Sequence, residues 1–189
     1  PYKLVAGTRF YERREVKDII AYLRLVHNPS DSVSLLRIIN VPGRGIGQRS
    51  LNELSNWAKS IGVPEYKALQ LLAEQKGGEE RLPFSSRIVK ALVAFLDLME
   101  ELIAKSRELN LVDFLDMFLG KTGYKEYTLS QSDGEERWDN ILELRTVAQQ
   151  YRELEPHEAL AAFLEGVTLV SDVDKLDESV DAVTLITLH

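Results

Sequence analysis

Cysteine is absent from the 189 residues, which excludes a disulfide framework, a thiolate zinc site and a cysteine nucleophile. Histidine stands only at His27, His157 and His189, without the spacing of metal ligands. No apolar run approaches ~18 residues, so a membrane-spanning helix is not expected. Pro1 to Phe10 lack the pattern of a signal peptide. G-x-S-x-G, H-E-x-x-H and calcium-loop spacings are missing. Gly120-Lys121-Thr122 has the tail of a P-loop, but Leu115 occupies the position of its first glycine and the preceding segment reads as a helix. No metal site and no nucleotide site are therefore expected in this stretch of chain. An intracellular, cytoplasmic protein is the simplest reading.

What is present is 44% hydrophobic and 28% charged, enough to fill a core without suggesting disorder. The net charge of −7 hides an asymmetry. Residues 1–60 hold ten Lys/Arg against five Asp/Glu, and residues 61–189 hold thirteen against twenty-five. An acidic total argues against indiscriminate coating of nucleic acid. It leaves room for a local phosphate-binding face in the first third.

Tyr2 to Gly7 reads as a short strand and Ala182 to Leu188 as a β-branched, doubly apolar strand of a covered sheet. Between them the apolar period is helical. Helices are expected over Glu12 to His27, from Asp31 or Ser32 through Ile39, around Leu51 to Ile61, from Pro64 to about Gln75, and from Ser85 or Ser86 to about Glu108. More follow from Asn110 through Leu119, from Glu135 to about Leu154, and from Pro156. Lys76 to Pro83 and Asp172 to Asp181 read as loops. Two strands from opposite ends cannot form a stable sheet alone. The fold class expected is thus mainly α: a multi-helix body inserted into an α/β sheet domain, with two terminal strands belonging to that sheet.

Chemistry concentrates in VPGRGIGQRSLNEL, residues 41–54. Glycines flank one apolar residue between two helices, the pattern of a helix-hairpin-helix. Glycine permits φ > 0 and lets neighbouring amides converge. The following helix offers its free N-terminal amides and dipole. Ile46 plugs the interhelical gap. Gly43, Arg44, Gly45, Ile46, Gly47, Gln48, Arg49 and Ser50 are the candidate duplex contacts, reading backbone rather than bases. A tight turn without a ligand is the other reading. Thr122, Gly123, Tyr124 and Lys125 form a second candidate hairpin, which a plain glycine C-cap explains equally well. Arg9, Phe10, Arg13 and Arg14, with Tyr11 and Lys17, suit a single strand, with phosphates on cations and a base on a ring. The same residues also read as a charged helix face paired with Glu12, Glu15 and Asp18. Asp113/Asp116 and Asp97/Glu101 read as solvated surface.

Gly7 to Arg24 (GTRFYERREVKDIIAYLR) resembles a signature stretch of UvrD/PcrA/Rep-type superfamily 1 DNA helicases. So do Ser34 to Pro42 followed by Gly45-Ile46-Gly47, and Thr184 to His189, which resembles the start of a helicase motif continuing into S-A-K-G-L-E-F. The resemblance implies a 2B subdomain with helix-hairpin-helix elements, carrying small pieces of the 2A motor domain. On it, residues 1–29 are an N-terminal 2A piece, 30–172 the helical 2B subdomain, and 173–189 a return linker and 2A strand. It also implies duplex DNA at the hairpin and single-stranded DNA at the 2A pieces. Arg13 would lie near the single strand, and His189 would couple ATP state to it. ATP and Mg²⁺ would belong to the parent 3′–5′ helicase of repair or replication, with no cofactor in this fragment and no unwinding by it alone. Repair or transcription proteins are expected partners, with no membrane, in a bacterial nucleoid setting. The alternative is a protein-interaction module of a helicase or helicase–nuclease.

Overall fold

Residues 10–74 and 82–173 are described by a computed structural model, with side chains to residue 169. Among them the chain is helical throughout and forms no strand. Both expected terminal strands, with Arg9 and His189, lie outside the described residues, as does most of the Lys76 to Pro83 loop.

Helix α1 (Arg14–His27) is apolar on most sides from Ile19 to Val26, Arg24 apart, and Val16, Ile19, Tyr22, Leu23 and Leu25 are each 0–1% exposed. A helix with that pattern must be enclosed. It packs on α2 (Ser32–Ile38), α5 (Ser86–Lys105), α8 (Gly134–Ala148) and α9 (Pro156–Val173). A 3-10 turn at Phe10–Glu12 precedes it and lies against α9. The helix expected from Glu12 therefore starts later, because Arg13 is extended and serves as N-cap. Its buried residues share one core with those of α3 (Gln48–Ser60), α4 (Glu65–Glu74) and α6 (Leu111–Lys121). Packing does not divide at residue 29.

Local signals set most ends. The Asp31 carboxylate accepts the Ser34 amide at 3.0 Å to cap α2, and Asn110 accepts the Val112 and Asp113 amides at 3.1 Å to cap α6. Pro156 opens α9. Three differences appear. Helix α5 stops at Lys105, where the Ser106 hydroxyl donates to the Ile103 carbonyl. Helix α8 gives way at Gln149 to a 3-10 turn. Asp172 and Val173, read as loop, are still in α9.

An unexpected short helix, α7 (Tyr124–Leu129), fills the interval before α8. Gly134 makes that junction possible: a Cβ there would sit 2.7 Å from the Thr128 carbonyl oxygen and 2.8 Å from that of Leu129. Both are backbone atoms, so a helix must shift. Gly134→Ala should cost about 1–3 kcal/mol in urea unfolding. Wild-type stability in that variant would show that the α7–α8 junction yields freely.

Candidate nucleic-acid interface

The α2–α3 connection is built around Asn40. Its side-chain oxygen accepts the amides of Arg44 at 2.7 Å and Ile46 at 3.1 Å. Gly45 between them has φ +76°, a left-handed conformation that glycine alone adopts without strain. Ile46 is fully buried, the plug expected from its position. Gly47 is the N-cap of α3 and supplies no side-chain cap. The amides of Gly45, Gly47, Gln48, Arg49 and Ser50 consequently donate to no acceptor among the described residues. They lie at the positive end of a 13-residue helix.

Arg44 is not part of that open face, contrary to expectation. Its guanidinium donates to the carbonyls of Ile38, Ile39 and Pro42 at 3.2–3.3 Å and to the Tyr22 hydroxyl at 2.7 Å. It also lies 5.5 Å from the Phe95 ring centre. The residue closes the C-terminal end of α2 from inside. Tyr22 in turn donates to the Val41 carbonyl at 2.6 Å. Burial pushes its phenol up to about 12, so that donor is retained.

Ser50 also turns inward and is 8% exposed, so its hydroxyl is not a surface contact. Gln48 and Arg49 do face solvent, held by Asn52 at 3.0 Å and Glu53 at 2.9 Å. The Arg49 side chain is 92% exposed. Gly43 is exposed beside them.

A cation that no local pattern marks joins this face. Arg87, in the first turn of α5, places Nη2 3.7 Å from where a Gly45 Cβ would stand. It is exposed and has no hydrogen-bond or ion-pair partner among the described residues. Sequence reasoning missed it because tertiary packing alone brings it to the turn.

The second candidate hairpin is largely core. Tyr124 is 1% exposed and donates to Asp18 at 3.0 Å. Burial first, then the Asp18 charge, pushes its phenol well above the ordinary tyrosine range. The Thr122 hydroxyl is buried and donates to the Phe118 carbonyl. Both side chains are buried. Only Gly123, left-handed at φ +69°, and Lys125, 5.2 Å above the Trp138 ring, approach the surface.

Of the expected single-strand platform, Phe10 is buried, whereas Arg13 and Arg14 are exposed. Phe10 is 2% exposed, edge-on to Tyr11 and beneath Arg13, so it offers no ring for stacking. Arg13 is bonded to Asn140, which donates to buried Glu15 at 2.6 Å. Arg14 reaches the Tyr127 hydroxyl at 3.2 Å. Asp18, 2% exposed, takes Arg37 at 2.7 Å as well as Tyr124. These carboxylates bind distant helices together rather than forming a solvated face.

No cluster of metal-ligating side chains occurs among the described residues, and none of the helices there is long and apolar enough to cross a membrane. Gly120-Lys121-Thr122 does not fit a nucleotide. It closes α6, Lys121 pairs with Glu101 at 2.6 Å, and Thr122 is buried.

A helical domain with an uncapped helix start behind a glycine turn matches one family over residues 1–189: the UvrD-like helicase C-terminal domain, to which the chain belongs. All of the chain aligns at 35% identity with the ATP-dependent DNA helicase PcrA of Bacillus subtilis (strain 168), over 26% of that protein. It aligns in full at 34% with PcrA of Staphylococcus aureus (strain Mu50 / ATCC 700699), over 25% of it. With the ATP-dependent DNA helicase UvrD1 of Mycobacterium bovis the figures are 39% and 26%. The chain thus spans about a quarter of the length of these curated relatives.

Proposed function

We propose that this chain is the duplex-contacting, 2B-type subdomain of an ATP-dependent 3′–5′ DNA helicase acting in repair or replication. ATP and Mg²⁺ are bound elsewhere in the parent. The observation that carries the reading is the run of amides from Gly47 to Ser50, without acceptors among the described residues, beside exposed Arg49 and Arg87. Amides and a helix dipole favour a phosphate, and such contacts hold the backbone without reading bases. The α2–α3 turn is accordingly a helix-hairpin-helix element. Because α1 shares the common core, the helical body includes α1.

Gly47 gives a clean test. A Cβ there meets nothing within 4 Å, so Gly47→Leu leaves the packing intact while covering the amides. Wild-type protein should bind a short duplex at low salt, with log affinity falling against log salt by roughly 0.9 per phosphate held. Gly47→Leu should weaken that binding and lower the slope by about one. A wild-type chain without salt-sensitive duplex binding would end the proposal.

A protein-interaction role has one observation of its own. Val33, on α2, is 82% exposed beside a cleft that also includes Lys17, Arg24 and Arg37. Partner capture that survives Gly47→Leu would assign that role to this separate face.

A further inference from the structure

We infer that Asn40 is the positioning residue of the α2–α3 turn, filling the first amide concavity with its own oxygen so that a phosphate is directed to the first turn of α3. The inference rests on the duplex-binding reading above and assigns a role to a residue outside the set proposed to touch DNA.

A left-handed residue between two others brings the flanking amides toward one point, a ready-made anion cradle. Gly45 is that residue, and the point is already taken by the Asn40 oxygen, 2.7 and 3.1 Å from the two nitrogens. This cradle is therefore not where a phosphate goes. The next amides, from Gly47 to Ser50, have no acceptor among the described residues.

Asn40 follows directly on the last turn of α2, so its two bonds tie the start of α3 to the end of α2. The Arg44 side chain reinforces the tie from the other side by holding three carbonyls of the same stretch. A flexible turn would have to be ordered when DNA binds, which lowers affinity. A turn ordered beforehand avoids that loss.

The test uses the 189-residue chain in three forms: wild type, Asn40→Ala, and Gly134→Ala as a control destabilised far from the turn. Amide exchange is followed by NMR, and duplex affinity by fluorescence anisotropy at low salt. In Asn40→Ala the Arg44 and Ile46 amides should exchange faster, while amides in α1 keep their protection. Duplex affinity should fall roughly tenfold, and the Gly47 to Ser50 amides should shift less on adding duplex. Gly134→Ala should lose stability and keep its affinity.

Unchanged exchange at Arg44 and Ile46 overturns the inference. So does wild-type affinity in Asn40→Ala, or an equal affinity loss in Gly134→Ala. If Asn40→Ala does not fold, Asn40→Ser, with a shorter acceptor, should be intermediate in both readouts, and affinity unaffected by lost protection again overturns it. Lack of duplex binding by the wild type is a separate failure, that of the proposed function, and it removes the positioning role too.

Discussion

Asp18→Ala should lower the unfolding free energy by about 3 kcal/mol, at the lower end of what breaking a buried ion pair costs. Asp18 is 2% exposed and holds Arg37 from α2 at 2.7 Å and Tyr124 from α7 at 3.0 Å. Removing it leaves a guanidinium and a buried hydroxyl without their acceptor. The Arg37 side chain is 37% exposed and can recover water, which keeps the cost from the upper end. Tyr124 is enclosed and cannot. In a domain of this size the melting temperature should fall by roughly 6–12 °C. Asp18→Asn keeps an oxygen for Tyr124 and should lose less. A loss below about 1 kcal/mol for alanine would show that the carboxylate is not what joins α1 to α2 and α7.

Arg44→Ala and Arg49→Ala should separate stability from binding within a few residues of one turn. Alanine at 44 takes the guanidinium from the carbonyls of Ile38, Ile39 and Pro42, of which Ile38 keeps the Val41 amide at 2.9 Å. Each buried acceptor left bare costs about 1–3 kcal/mol, and partial access to water should hold the total near 2–3 kcal/mol. Duplex binding should then weaken only as the turn loosens. Alanine at 49 removes a side chain that is 92% exposed, so stability should stay within about 0.5 kcal/mol. Its duplex affinity should fall, with a shallower salt dependence. Urea unfolding and salt-titrated anisotropy on both variants decide it. The reverse pattern, a stable Arg44→Ala that fails to bind and an Arg49→Ala that binds normally, would make Arg44 the ligand and reject the geometry described here.

The two arginines also show where sequence reading stops. The two flank Gly45-Ile46-Gly47 in the basic third of the chain, and by type alone they are equivalent. Only the position of Tyr22, Phe95 and the end of α2 draws one inward. The same limit applies to Phe10, whose ring beside cations suggested a single strand, and to Tyr124, read as part of a second hairpin. Both are core residues once α1, α7 and α8 are assembled.

The sequence by itself determined the succession of helices apart from α7, the cap at Asn110, the choice of Asp31 or Ser32 as cap of α2, the plug at Ile46 and the family. Each of these depends on residues a few positions apart, where spacing along the chain is nearly spacing in the structure. Tertiary structure alone decided which polar groups remain open to a ligand. Asn40 closes one amide cradle, Arg87 arrives from α5, and Glu15 and Asp18 are spent on Asn140, Arg37 and Tyr124. A charged or polar side chain is described by its type in sequence, but its availability depends on what packing places within hydrogen-bond reach.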